Sequence, residues 1–491
     1  MKDAIKGLKP ELMWEHFYQI SQIPRCSRHE DAVRQYVISV AERNGLSYKS
    51  DRVKNIVISK PATAGCEKAP IAVLQSHLDM VCEKNKDTQH DFSKDPIRLL
   101  RKDDWITADG TTLGSDNGIG VAAALAVLES TDLVHGPLEF LFTIDEETGL
   151  TGAIELGDDM LEGRILINMD SEEDGDIYIG CAGGKDTELF IDLENEAVPA
   201  NYSVVRVRVG GLQGGHSGLQ IDAGLGNAIK LITRLLKDVD DTLSLRVMHL
   251  DGGSKHNAIP RECDAIVALP TAKLGELKAA AAKYQDIFRD ELKLTDAGVF
   301  VQIAENGFEK PGEMLTQKQH NTLLNMLYAM PHGVLAMSHA VPGLVETSTN
   351  LAVVKTNEEN ISVLTSQRSS VGSSLSGIAQ SVSALGQLAG TRIHQGGGYP
   401  AWQPNPDSQL LHIAKEVYRE LFNTEIHVKA IHAGLECGII GDKYDGMDMI
   451  SFGPTILGAH SPDERVQIST VEKFWKYLEG ILNHLAKQNS N

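Results

Sequence analysis

The stretch IAVLQSHLDMV, residues 71 to 81, decides how the chain is read. It opens as an unbroken apolar run of the kind that forms a strand covered on both faces, then places His77 and Asp79 near its end. A strand repeats every two residues, so His77 and Asp79 share a face while Leu78 turns the other way into packing. Alone the pair is ambiguous, because a histidine at a strand end is more often a hydrogen-bonded core or surface group than a ligand.

Similar runs lie on either side. NIVISK (55–60), PLEFLFTIDEE (137–147) and RILINMDSEE (164–173) read as strands, and ELMWEHFYQISQI (11–23), HEDAVRQYVISVAERNG (29–45) and GIGVAAALAVLES (118–130) as helices. This alternation predicts α/β architecture: a mixed, largely parallel sheet flanked by helices. After about residue 200 the style changes to strand, helix, strand, strand, helix. SVVRVRVGG, AGLGNAIKLITRLLKDVDD, LSLRVMHLDGG, NAIPRECDAIVALP and AKLGELKAAAAKYQDIFRDELK carry the pattern, and a second set of similar elements follows to residue 390. That order suggests an inserted α+β domain, and its repetition a doubled module. The Gly-rich QGGGYPAWQPNP (395–406) precedes a return to α/β patterning. The expected organisation is a first segment over 1–195, an insertion over 196–400 and a second segment over 401–491.

With 491 residues, 42% hydrophobic and 23% charged, the chain has material for more than one core. Its 46 Lys and Arg against 67 Asp and Glu give a net charge of −21 without a basic stripe. That disfavours nucleic acid or an anionic membrane as partner. No run approaches a membrane span, and the first residues, MKDAIKGLKPELMW, lack a signal-peptide core. The six cysteines are scattered with no C-x-x-C pair, so a reduced, cytoplasmic protein with small buried thiols is expected.

Polar signals recur at strand ends and loops of the α/β part. GTTLGSDNGIG (110–120) carries Asp116, IDEETG (144–149) carries Glu146 and Glu147, INMDSEE (167–173) carries Asp170, and ILGAHSPDE (456–464) carries His460. Loops at the carboxyl ends of parallel strands converge on one crevice, where imidazoles and carboxylates together suit zinc or another divalent metal. The glycines around Asp116 could instead suggest a phosphate-binding turn. However, a carboxylate there would repel phosphate, and no G-K-[ST] follows. Adjacent acids such as Glu146 and Glu147 also occur simply as solvated turns.

Taken in order, SHLDMV, GSDNGIG, DEETG, NMDSEE and GAHSPDE resemble the dinuclear zinc peptidases of the M20 family over nearly the whole chain. The aminoacyl-histidine (Xaa-His, carnosinase-like) dipeptidase branch is the most similar, through CAGG (181–184), GGHSG, HAGLECG and KPATAG. The resemblance implies one Zn²⁺ held by His77, Asp116 and Asp170 and a second by Asp116, Glu147 and His460, with Co²⁺ or Mn²⁺ as substitutes. Asp79 would orient His77 by accepting its other ring N–H. Glu146 would be the general base, passing a proton from water to the leaving amine. Asp at position 170 resembles the dipeptidase and aminopeptidase type.

In the insertion, the resemblance makes His216 of GLQGGHSGLQ an oxyanion donor and Asn257 of KHNAIP a substrate contact. It makes Arg368 of SQRSS the partner of a dipeptide's carboxylate. Their plain alternatives are a tight loop, a turn cap and a surface charge. Tyr399, Trp402, His432 and Glu436 are candidates for lining a histidine pocket, with loop packing an equal alternative. The family implies a homodimer, and leaves open whether His216 acts within its own chain. Glycines 396–398 are a candidate hinge for a closing lid. The expected activity is Xaa-His dipeptide hydrolysis. A broader dipeptidase, a tripeptide aminopeptidase and an inactive metal-binding protein remain as alternatives.

Overall fold

The structure, a computed structural model, describes residues 2–305 and 312–488. It divides into two compact units, one formed by Met1–Cys181, Trp402–Ala430 and Leu435–Asn491, the other by Ala182–Ala401 and Ile431–Gly434.

The first unit is built on an eight-stranded sheet. Its four central strands, Leu138–Thr143, Ala72–His77, Ile165–Asn168 and Asp448–Ser451, run parallel, while Ile56–Lys60 and Asp176–Cys181 join them antiparallel on either side. Every residue of Ala72–His77 and of Leu138–Thr143 is buried, which explains why these stretches lack polar alternation. The helix Ser115–Glu129 is buried along almost its whole length; its run of alanines and glycines lets it lie close against the His77 strand.

Parallel pairing places chain exits on a common edge. His77 is level with Thr143, and Gln75 with Asn168, so His77, the 145–147 turn and Asp170 all emerge at the carboxyl end of the sheet. A separate four-stranded sheet joins Ile456–Leu457 and Arg465–Gln467 to Trp105–Ala108 and Leu99–Lys102. His460 lies in the loop between the first two of these strands.

The second unit carries a nine-stranded sheet with four helices, Ala228–Leu243, Leu274–Glu291, Gln317–Ala329 and Gly372–Leu388. Its neighbouring strands pair antiparallel, as Val345–Thr356 does with Asn360–Ser369. The two sets of similar elements share this one sheet, meeting where Arg246–Gly252 pairs with Val345–Thr356.

Three expectations need correction. The strand Gly183–Asp192 pairs with Asn360–Ser369 and Arg392–Tyr399, so it belongs to the second unit rather than to a first segment reaching 195. Alternation alone could not say which sheet it would join. The glycines 396–398 lie inside the strand Arg392–Tyr399 at a register irregularity, not where the chain passes between units. And Cys26 is not free: it is disulfide-bonded to Cys82 with Cα atoms 5.7 Å apart, because a loop bridge pairs Cys26 with Met80. Their separation of 56 residues carried no sequence signal for that bond. Among the described residues no helix is long and apolar enough to cross a membrane.

Candidate metal centre

His77 ends its strand, and Leu78 still donates its N–H to Thr143 O at 2.9 Å before the chain leaves the sheet. Leu78 is fully buried, and so is Asp79. The imidazole Nε2 lies 3.1 Å from Asp116 Oδ1 and 3.3 Å from Asp170 Oδ1. The other oxygen of Asp116 is 3.1 Å from His460 Nε2, which is itself 2.9 Å from Glu147 Oε2. Asp116 therefore offers one oxygen to each imidazole. The ligand atoms of His77, Asp116 and Asp170 gather within 4.8 Å of one another, as do those of Asp116, Glu147 and His460.

Local backbone explains how these side chains reach one another. Asp116 and Asn117 depart from helical φ and ψ at the start of their helix, which frees Asp116 to point into the crevice. Asp145 and His460 both adopt the left-handed region, at φ 49° and 61°. Asp145 is held there by Thr151 Oγ1, which donates to its carboxylate at 2.6 Å, and by Glu30, which accepts its N–H at 3.0 Å.

Asp79 does more than its spacing suggests. Its Oδ1 sits 3.2 Å from His77 Nδ1, but without the alignment of a hydrogen bond. Its two oxygens accept the backbone N–H groups of Glu146 and Glu147 at 3.0 and 3.2 Å, and the Ser27 hydroxyl at 2.7 Å. Asp79 thus fixes the turn that carries both glutamates, a function only the folded chain reveals.

Sequence reasoning also missed a buried polar path beneath the cluster. Glu436 Oε2 accepts from Gln75 at 2.6 Å and from Thr143 at 2.7 Å, and the Gln75 carboxamide accepts from Asn168. Glu436, a candidate for lining a histidine pocket, is fully buried and hydrogen-bonded within the first unit.

The electrostatics are those of a carboxylate cage. Burial opposes charge on His77, yet Asp170 and Asp116 outweigh it and hold the ring well above its ordinary range. Hydrogen bonding to Asp116 and Glu147 lifts His460 to about 11. Burial raises Asp170 to about 6 and pushes Glu146 well above the carboxylate range.

In the second unit, His216 lies on a two-residue strand paired with Ala258–Ile259. Its Nδ1 accepts N–H groups from Gly218 at 3.2 Å and Leu219 at 3.0 Å. The proton of the neutral ring is therefore on Nε2, and burial lowers the ring to about 4. Asn257 accepts the Ser217 N–H at 2.8 Å through its carbonyl, and with His216 lines a cavity of about 580 Å³. Arg368 is buried, donates to the Tyr399 hydroxyl at 2.8 Å and leaves Nε without a partner.

Three of the quoted motifs meet around these groups. A Cβ on Gly218 would lie 2.3 Å from His432 O, 3.1 Å from His216 and 3.3 Å from Arg368, so only glycine fits. One on Gly184 would enter the Tyr399 ring. His256, beside Asn257, is instead engaged with Asp186 at 3.0 Å. Trp402 pairs with Cys181 in the first unit.

The model of the peptidase family M20/M25/M40 matches residues 73–484. The chain belongs to that family. The M20 chain is 43% identical over 481 residues to the cytosol non-specific dipeptidase of Escherichia coli (strain K12), covering 98% of this chain and 99% of that one. It superposes on the crystal structure of aminoacylhistidine dipeptidase from Vibrio alginolyticus with a TM-score of 0.90 at 42% identity, covering 98% of each. A tripeptidase from Staphylococcus aureus, at 17% identity and a TM-score of 0.51 over 98% of this chain and 100% of that one, shares the fold alone.

As an M20 peptidase the protein is a metal-dependent hydrolase, and its donors fit such a cofactor. Three carboxylates face two imidazoles in a largely buried crevice, an excess of negative charge that needs cations. Glu147 Oε1 is buried without a hydrogen-bond partner, a donor atom that fits a metal cofactor.

Proposed function

We propose that the chain is a dinuclear zinc dipeptidase acting on Xaa-His substrates such as β-alanyl-histidine. The observation that carries the reading is Asp116, whose two oxygens each meet a different imidazole, the arrangement a carboxylate shared by two cations requires. His77, Asp116 and Asp170 would hold one ion, and Asp116, Glu147 and His460 the other. When bound, such a pair supplies a nucleophilic water near neutral pH and polarises the scissile carbonyl.

The chain's own groups do the rest. Glu146, held on its turn by Asp79, takes the water's proton and returns it to the leaving amine. Burial raises its basicity toward the working pH. His216 is a neutral ring with Nε2–H free to donate, which suits it to the oxyanion of the tetrahedral intermediate. Arg368 binds the substrate carboxylate, and Asn257 contacts the peptide. The inserted unit acts as the lid and as the dimerisation surface of a homodimer. The strand Gly333–Met337, which exposes Val334, Leu335 and Met337, supports that surface.

The Xaa-His preference rests on the name of the Vibrio alginolyticus relative, and the cytoplasmic location we assign rests on that of the Escherichia coli one. A broader dipeptide range is the second reading, favoured by the words "non-specific" in the latter name. The deciding experiment measures hydrolysis of β-alanyl-histidine, alanyl-alanine and a tripeptide by metal-stripped protein before and after Zn²⁺. Zinc-dependent cleavage favouring the histidine dipeptide supports the first reading. Equal rates on both dipeptides support the second, and zinc binding without cleavage overturns both.

A further inference from the structure

His460 belongs to a surface loop: its side chain is 54% exposed and its backbone is left-handed. Four residues on, Glu464 is only 2% exposed although it carries a charge. Its Oε2 accepts the N–H groups of Leu113 at 2.7 Å and Gly114 at 2.9 Å. Its Oε1 accepts the N–H and hydroxyl of Ser115 at 2.7 and 2.6 Å, and the Asp116 N–H at 3.3 Å. Five donors thus converge on one carboxylate, and they are the donors of the turn that delivers Asp116.

The other end of the residue is equally fixed. Glu464 N–H donates to Ser461 O at 3.1 Å, its carbonyl accepts from Thr107 at 2.9 Å, and the strand Arg465–Gln467 begins directly after it. A rigid strut therefore joins the His460 loop to the Asp116 turn.

We propose that Glu464 is a positioning residue that sets the separation of His460 and Asp116, and so governs metal affinity at the Asp116–Glu147–His460 group in particular. The His77–Asp116–Asp170 group has anchors of its own. His77 stands on a central strand, Arg25 donates to Gly114 O, and Asn117 donates to Met169 O at 2.9 Å and to Asp170. This inference rests on the dinuclear reading above.

The substitution that isolates the effect is Glu464→Gln. It keeps volume but replaces one oxygen with an NH₂ group, which in either orientation confronts donors on this turn. Metal-free wild type, Glu464→Gln and His460→Ala are titrated with Co²⁺ and followed by visible absorption, with Tm recorded alongside. His460→Ala identifies the step that belongs to its group. In Glu464→Gln that step weakens ~10- to 100-fold while the other changes little, and the metal-free protein still unfolds in one cooperative transition, at a lower Tm because two buried donors face the new NH₂ group.

An unchanged step, or an equal fall in both, overturns the proposal alone. A wild type without a second step overturns the dinuclear reading and the proposal with it. Should Glu464→Gln fail to fold, Ser115→Ala removes one donor from the same carboxylate. A smaller loss confined to the His460 step then supports the proposal, and no loss there overturns it.

Discussion

His77 and His460 of the first unit sit among carboxylates, whereas His216 and His432 of the second sit beside a guanidinium. Burial disfavours a charged ring in both places, but Asp116 and Glu147 overcome it at His460, lifting that ring to about 11. At His216 burial is joined by the repulsion of Arg368, and the ring falls to about 4. The same side chain is thus set to opposite tasks. In the carboxylate cage an imidazole is a site where a cation can take the place of a proton. Beside Arg368 it stays neutral and keeps one N–H to donate.

The sharpest break in that comparison comes from Asp116, which serves both imidazoles of the first unit. Asp116→Ala should abolish activity and weaken both metal-binding steps by more than the ~10- to 100-fold typical of outer partners. Metal content after dialysis checks this; retention of both ions would show that Asp116 is not shared. Glu146→Gln should leave the metal content unchanged and lower kcat by ~10²- to 10⁴-fold, as loss of a general base does. Loss of metal in that variant would make Glu146 a ligand. His216→Ala should lower kcat by ~10²- to 10³-fold with metal content intact, as removal of an oxyanion donor does. Metal loss there would erase the difference between the two units.

Some of this was readable from the chain and some was not. The parallel core announced itself because LEFLFT, AVLQSH and ILIN are buried on both faces and so carry no polar alternation. His77, Asp116, Glu147, Asp170 and His460 stood out because each interrupts or follows such a run in a short, distinctive motif. Their supports did not. The Glu464 bond to Leu113 spans 351 residues, and nothing in the letters PDE points to a partner so far away. Arg25 presents no pattern at all, yet it donates to Leu78 O at 2.9 Å and to Asp79 O at 2.7 Å. The candidate ligands are marked by their own chemistry, while the groups that hold them are marked only by partners distant in the chain.

The mildest test concerns His432 in the second unit. It is 6% exposed and its Nε2 lies 2.7 Å from the Ser348 hydroxyl. Burial, reinforced by Arg368, lowers it to about 4. An unfolded histidine takes up its proton near 6.5. Above that pH neither state binds the proton, and the neutral ring costs nothing. Between 6.5 and 4 the unfolded chain binds a proton that the native one refuses, so stability falls as pH falls, and below 4 the loss is complete. By pH 5 this one residue should remove about 2 kcal/mol. Denaturant unfolding of wild type and His432→Gln at pH 7.5 and pH 5 measures it as the extra loss suffered by the wild type. If both proteins lose stability equally, His432 is already charged in the native state, and the guanidinium beside it does not keep this region neutral.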